Sequence, residues 1–238
     1  NISLNIVMSN TFDPIYLFGS NIGVLLLHGY TGTPREFQQI SVKIHDLGYS
    51  VHAPLYRGHG QPFNTLLKTD IFGWYEDAKQ GYERLMLDCD EIYVIGLSMG
   101  GAFAVKLAQE YNPKALITLN APIITLAMYQ EMDWFIKENK NNKELIALYR
   151  DNRLKYFRFV GDIGQISNLS TITCPIMINQ GLQDNTRYLI SASMLLEYTS
   201  SIYKERHNYP LSDHHLLSQG EEKLLFENIK TFLEIVEK

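Results

Sequence analysis

Uninterrupted apolar runs alternate with amphipathic stretches along most of the chain. Residues 23–29 form such a run, and residues 91–95 and 115–119 also predict buried strands, while 49–54, 174–180 and 202–206 predict further strands. The stretches with helical spacing cover residues 34–47, 72–87, 102–110, 188–196 and 221–236. Two shorter patterns near the start, at 2–7 and 15–18, are also compatible with strands. Strands that alternate with helices predict an α/β fold with an open, mostly parallel sheet flanked by helices.

The alternation stops between residues 123 and 170, where no strand pattern stands out. Two amphipathic helices, at 128–137 and 143–158, occupy this interval and are joined by a polar segment. An insertion of this size between two sheet strands indicates a small helical lid, with an ordinary pair of crossover helices as the alternative. The chain is therefore interpreted as a single domain, 1–238, with a lid at about 123–170.

A G-x-S-x-G motif formed by Gly96, Ser98 and Gly100 lies between a predicted strand and a predicted helix. Strand, sharp turn and helix are the context that a nucleophile elbow requires. The turn must hold the serine hydroxyl clear of the sheet, and glycines on either side leave room for it. Ser98 is therefore the candidate nucleophile.

A serine nucleophile needs a base, and that base needs a carboxylate to orient it. Reactive groups of open α/β sheets gather at the carboxyl ends of strands, which selects Asp184 after the strand at 176–180. The loop after the last strand carries two adjacent histidines, His214 and His215, and the residues alone do not decide which is the base. Asp213 is a rival carboxylate, although its position next to the base disfavours it. His207 is interpreted as a surface residue.

The oxyanion of a tetrahedral intermediate needs backbone donors. The N–H of Met99 begins the helix after the elbow, where free N–H groups favour negative charge. The second candidate is the N–H of Tyr30, in the loop after the strand that ends at His28 and Gly29. His28 and His59 are interpreted as residues that order loops.

Composition restricts the partners. The 238 residues carry a formal net charge of −5, which gives no indication of a nucleic-acid partner. No run of eighteen apolar residues predicts a membrane span, and no signal segment is recognised at the start. The two cysteines, Cys89 and Cys174, have no metal-binding or disulfide spacing, which favours a reducing, cytoplasmic location.

Five segments occur in the order found in one superfamily. They are His28-Gly29-Tyr30-Thr31-Gly32, Arg57-Gly58-His59-Gly60, Gly96-Leu97-Ser98-Met99-Gly100-Gly101, Gln180-Gly181-Leu182-Gln183-Asp184 and Ser212-Asp213-His214. The chain resembles the α/β-hydrolase superfamily, and within it the small bacterial carboxylesterases related to monoacylglycerol lipases. The likeness runs from about Pro14 to the terminal helix and is weakest in the lid.

The resemblance implies Ser98 as nucleophile, Asp184 as the acid of the triad and His214 as base, with oxyanion donors at Tyr30 and Met99. His214 is favoured because the family base stands two residues after a serine. The family usually has glycine between them, where this chain has Asp213. The resemblance also implies that no cofactor is needed and that the substrates are short- to medium-chain acyl esters.

The sequence thus predicts a serine carboxylesterase that works through an acyl-enzyme. Thioesterase, acyltransferase, carbon–carbon hydrolase or monoacylglycerol lipase activity could use the same triad, and a non-catalytic binding protein or an interfacial lipase are further alternatives. Met128, Trp134 and Phe135 of the lid are expected to shape an acyl pocket.

Overall fold

A computed structural model describes residues 12–126, 128–218 and 220–238. The strand expected at 2–7 lies outside these residues. Within them the strands are β1 (Ile15–Leu17), β2 (Ile22–Leu27), β3 (Ser50–Ala53), β4 (Glu91–Leu97), β5 (Ala115–Leu119), β6 (Ile176–Gly181) and β7 (Lys204–Tyr209). They form one sheet in the order β1-β3-β2-β4-β5-β6-β7, in which β1 is antiparallel to β3 and the other neighbours are parallel. The predicted fold class, a mostly parallel sheet flanked by helices, is confirmed.

The helices follow the predicted alternation. They are α1 (Gln38–Asp46), α2 (Phe63–Leu66), α3 (Ile71–Met86), α4 (Met99–Tyr111), α5 (Met128–Glu138), α6 (Lys143–Ile163), α7 (Ile166–Leu169), α8 (Thr186–Tyr198) and α9 (Glu222–Val236), with a 3₁₀ turn at Pro34–Phe37 before α1. Asp70 caps α3 by accepting hydrogen bonds from two backbone N–H groups of its first turn. In the part of the chain that the structure describes, no helix combines the length and the apolarity needed to cross a bilayer.

The core lies on both faces of the sheet. Alternate residues of β2 illustrate this, because Leu25 and Leu27 join one buried cluster while Val24 and Leu26 join another. The first cluster includes side chains of α3, α4, α6 and α8, and the second includes side chains of α1 and α9. Burial on both faces explains why the central strands are uninterrupted apolar runs.

The predicted lid region forms three helices, α5 to α7, between β5 and β6. The first half of α6 packs with α5 around a small cluster that contains Met132 and Tyr149. The second half joins the main core, where Phe159 contacts Phe103 of α4. The insertion thus packs partly on itself and partly on the core of the domain. Whether the segment opens and closes as a lid stays a prediction.

The turn between β4 and α4 brings three stretches of backbone together. A Cβ added at Gly96 would lie 2.1 Å from the carbonyl oxygen of Gly100, and one added at Gly100 would lie 2.0 Å from that of Leu27. Real Cβ atoms do not approach backbone so closely, so this turn requires glycine at both positions.

We expect Gly100→Ala to lower the free energy of unfolding by about 3 kcal/mol or more, since the new methyl group would push α4 away from the end of β2. Gly161→Ala is the matched control, because Gly161 lies inside α6 with its nearest obstacle 3.9 Å away. There alanine should stabilise the protein by about 0.5–1 kcal/mol. Urea denaturation measures the free energy of unfolding of both variants. Similar values for the two would contradict the close approach of α4 to the end of β2.

Candidate active site

Ser98 occupies the strained turn that the motif predicts. Its backbone has φ 53° and ψ −121°, an unusual conformation for a residue other than glycine. Two hydrogen bonds hold it, one from its N–H to the carbonyl of Leu119 (2.9 Å) and one to its carbonyl from the N–H of Ala102 (3.1 Å). The serine is therefore fixed by β5 and by the first turn of α4.

Loops after two neighbouring strands bring His214 and Asp184 to the serine. His214 Nε2 lies 2.8 Å from Ser98 Oγ, and His214 Nδ1 lies 2.8 Å from Asp184 Oδ2. The Asp184 side chain is only 4% exposed, and its other oxygen accepts the N–H of Asn185 at 2.7 Å. The ring of Tyr188 packs against His214 with centroids 4.3 Å apart. Three residues from three separate strand ends thus form one continuous chain of hydrogen bonds.

This arrangement determines which atoms of His214 and Ser98 carry a proton. An ionised carboxylate can only accept, so His214 Nδ1–H donates to Asp184. The lone pair on Nε2 then faces the hydroxyl of Ser98, which donates to it. A serine in this position can lose its proton as it attacks an electrophilic carbon.

The rival residues lie elsewhere. The side chain of His215 is 71% exposed, and its N–H and ring Nδ1 both contact Asp213 Oδ1 (2.9 and 3.3 Å). His207 is part of β7 and lies 2.9 Å from Glu205 Oε2. The structure therefore favours His214 over His215 as the partner of Ser98.

The residues of the two expected oxyanion donors lie near the serine, since Met99 follows it in the chain and Tyr30 lines the same cavity. Met99 is the first residue of α4, so its N–H has no partner within the helix. The loop that carries Tyr30 is held by His59, whose Nε2 donates to the Tyr30 carbonyl at 2.7 Å, and by Glu36, which accepts the N–H of Gly29 at 3.0 Å. Tyr30 and Met99 as oxyanion donors stay predictions.

His28 and His59 order this loop. His28 is fully buried, stacks on Tyr56 with ring centroids 3.9 Å apart, and lies with Nδ1 3.0 Å from the carbonyl of Gly29. Burial lowers the pKa of His28 well below its usual value and also lowers that of His59. Both rings are neutral parts of the structure at neutral pH.

Asn120 is a residue that the sequence reasoning missed. It is completely buried, has a left-handed φ of 48°, and follows β5. Its Oδ1 accepts the N–H of Gly181 at 2.8 Å, and its Nδ2 donates to the carbonyl of Asp213 at 2.9 Å. It therefore ties the end of β6, which leads to Asp184, to the loop of His214. An asparagine directly after a buried strand was the available signal, because asparagine tolerates left-handed backbone.

The lid residues that line the cavity differ from the three that were expected to shape an acyl pocket. A cavity of about 250 Å³ beside Ser98 is lined from the insertion by Glu131, Arg153 and Tyr156. Met128 is buried in the main core, Trp134 is 64% exposed, and Phe135 stacks on Tyr149. None of the three residues expected to shape an acyl pocket therefore lines this cavity.

Comparison with known proteins agrees with the geometry. The model of the serine aminopeptidase S33 family matches residues 21–155, more than half of the chain. The chain belongs to this family of hydrolases. The predicted superfamily, and the prediction of a serine hydrolase, are confirmed.

Three relatives are informative. A carboxylesterase of Bacillus subtilis (strain 168) is 27% identical over 240 residues, covering 94% of this chain and 97% of the relative. A thermostable monoacylglycerol lipase of Bacillus sp. (strain H-257) is 34% identical over 208 residues, covering 81% and 82%. A solved structure of the metagenome-derived lipolytic enzymes LipS and LipT superposes with a TM-score of 0.81 over 94% of this chain and 98% of its own, at 20% identity.

We expect Asn120→Gly to lower kcat roughly tenfold or more, because the glycine keeps the left-handed backbone but releases the loops of Asp184 and His214. Asn112→Gly is the matched control, since Asn112 also has a left-handed φ, of 47°, but lies at the exposed end of α4. Steady-state hydrolysis of p-nitrophenyl butyrate measures kcat for the two variants. Equal kcat in the two variants would contradict a positioning role for Asn120.

Neutral buried histidines make stability depend on pH. The unfolded chain binds a proton at His28 below about pH 6.5, whereas the folded chain does not, so acidification below that value favours unfolding. The contribution of one such group approaches about 1.4 kcal/mol per pH unit. We expect His28→Phe, which keeps a ring on Tyr56, to reduce the slope of the unfolding free energy by about one proton between pH 6.5 and the lowered pKa. Urea titrations at several pH values measure it; equal slopes would contradict burial of a neutral His28.

Proposed function

We propose that this chain is a carboxylesterase whose catalytic triad is Ser98, His214 and Asp184. One observation carries the proposal, namely the continuous hydrogen-bonded chain from Ser98 Oγ through His214 to Asp184, with both distances 2.8 Å. The curated relatives named carboxylesterase and monoacylglycerol lipase support the same reaction class. The assembled triad also favours an enzyme over a binding protein that has lost its chemistry.

In the proposed reaction Ser98 Oγ attacks the carbonyl carbon of the ester while its proton moves to His214 Nε2. The N–H groups of Tyr30 and Met99 stabilise the oxyanion. The bond to the alcohol oxygen breaks, and the alcohol leaves with the proton from His214. Water then attacks the acyl-enzyme and gives a proton to His214, which passes it to Ser98 Oγ as the carboxylic acid is released. Asp184 holds the tautomer of His214 and stabilises the imidazolium.

Short- to medium-chain acyl esters are the substrates that the space beside Ser98 supports. The cavity of about 250 Å³ adjoins a second depression of about 380 Å³, with Glu36, Leu97 and His215 lining both. The second depression is also lined by Ile40, Leu217 and Phe226, which suit an apolar chain. Monoglycerides are a second candidate substrate class, supported by the 34% identical relative. A cytoplasmic location stays a prediction, which the unbridged thiols of Cys89 and Cys174 support.

We expect Ser98→Ala and His214→Ala to lower kcat/KM for p-nitrophenyl butyrate by about 10⁴-fold or more. His215→Ala is the matched control for the adjacent ring and should change it by no more than a few fold. A fluorophosphonate probe followed by mass spectrometry should label Ser98. Label on another residue, or full activity of His214→Ala, would overturn the triad.

Acyl-CoA thioesters and monoglycerides of the same acyl group, measured beside the p-nitrophenyl ester, separate the alternatives. Faster turnover of the thioester would favour a thioesterase. Faster turnover of the monoglyceride would favour a monoacylglycerol lipase.

A further inference from the structure

The cavity beside Ser98 contains two buried guanidinium groups. Arg153 of α6 and Arg187 of α8 both line it, and they are only 6% and 8% exposed. Arginine is among the residues least often buried, and a buried charge is costly unless it is paired. Two buried guanidinium groups beside a proposed nucleophile therefore raise the question of which negative groups they pair with.

A single carboxylate joins the two arginines. Glu131 of α5 contacts Arg153 Nη2 through Oε2 at 2.5 Å and Arg187 Nη1 through Oε1. This group of three side chains, the Arg–Glu–Arg cluster, has a formal charge of +1. Glu36, the other carboxylate that lines the cavity, accepts the N–H of Gly29.

Aromatic rings surround the cluster without neutralising it. The guanidinium carbon of Arg153 lies 5.0 Å from the ring centroid of Tyr156 and 5.5 Å from that of Tyr30. That of Arg187 lies 4.7 Å from the ring of Tyr188, whose hydroxyl is 2.9 Å from Nη2. Cation–π contacts hold the planes in place but satisfy no N–H.

Two N–H donors of the cluster have no acceptor among the residues that the structure describes. The Nε atoms of Arg153 and Arg187 are buried, and within the described part of the chain neither has a hydrogen-bond partner. A buried donor without an acceptor is destabilising, and the planar guanidinium presents its donors in a geometry that matches a carboxylate. The cluster thus combines an excess positive charge, on two side chains that line the cavity, with buried Nε–H groups that no protein group at a described position satisfies.

We propose that the Arg–Glu–Arg cluster binds a carboxylate carried by the substrate, so that the enzyme prefers esters with a negatively charged acyl or alcohol part over neutral esters of equal size. This inference rests on the proposed esterase function. It assigns Arg153 and Arg187 to specificity and leaves the bond-breaking to the triad.

Two pairs of substrates test the preference. p-Nitrophenyl hydrogen glutarate against p-nitrophenyl hexanoate places the charge on the acyl part, and p-acetoxybenzoate against p-tolyl acetate places it on the alcohol part. We expect the charged member of at least one pair to have the higher kcat/KM, by roughly tenfold or more, and the preference to fall with added salt. Neutral esters favoured or equal in both pairs would overturn the proposal.

Variants of the cluster give effects of opposite sign. Arg153→Met and Arg187→Met should each lower the charged-to-neutral ratio of kcat/KM about tenfold to a hundredfold, since each loses a charged donor. Glu131→Gln should raise the ratio, because it removes the competing carboxylate. Arg158→Met is the control, an exposed arginine on the same helix that should leave the ratio unchanged. A ratio that is insensitive to all three cluster variants would contradict the proposal.

One measurement needs no variant. Glutarate should inhibit hydrolysis of p-nitrophenyl butyrate by the wild-type enzyme competitively and at least tenfold more strongly than pentanediol, and equal inhibition would count against the cluster as an anion site. The outcomes also separate the two proposals. A protein that hydrolyses none of these esters contradicts the esterase function, whereas one that hydrolyses the neutral esters without preference contradicts only the role of the cluster.

Discussion

The close approach of α4 to the end of β2 is the contact on which the site depends. At Gly100 the backbone of the helix meets the carbonyls of Leu27 and His28 so closely that no side chain fits between them. This approach fixes the first turn of α4, which carries Ser98 and Met99, against the strand that leads into the loop of Tyr30. This contact thus acts together with the hydrogen bonds of Ser98 and of the Tyr30 loop to position the proposed nucleophile and both expected oxyanion donors, and it requires glycine at position 100.

The proposed base, His214, and its carboxylate, Asp184, depend on a second, polar arrangement. β6 and β7 are parallel neighbours, so the loops that follow them leave the same edge of the sheet. Asn120 fixes the distance between those loops, because one amide bonds to the backbone of both. A second close approach supports it, since a Cβ at Gly181 would lie 2.2 Å from the carbonyl of Asp213. The apolar core brings the strand ends together, and these local contacts set the final positions to within a hydrogen-bond length.

What the sequence predicted and what it missed follow from the same physics. Strands covered on both faces are continuous apolar runs, so the central strands of the sheet could be predicted from the sequence. The elbow has a fixed spacing, so the strained turn at Ser98 could be predicted as well. Asn120 had only the signal of an asparagine after a buried strand, and Arg153 and Arg187 had none, because Glu131, the carboxylate that joins them, is distant from both in sequence. The lid was interpreted wrongly in one respect for a related reason. Periodicity identifies the apolar face of α5, but it does not say whether that face covers a core or a cavity.

The charge of the Arg–Glu–Arg cluster has a chemical consequence for the proposed triad. In the proposed acylation step His214 becomes an imidazolium, and a nearby positive charge would oppose that step. Tyr188 contacts both groups concerned, with its ring 4.3 Å from the His214 ring and 4.7 Å from the Arg187 guanidinium. Glu131 reduces the charge of the two arginines from +2 to +1. A negative group on the substrate would offset the remainder, so an anion bound at the cluster would also favour protonation of His214. An anion bound at the proposed cluster would therefore couple substrate recognition by Arg153 and Arg187 to proton transfer at His214 through electrostatics, although these residues lie on different elements of the fold.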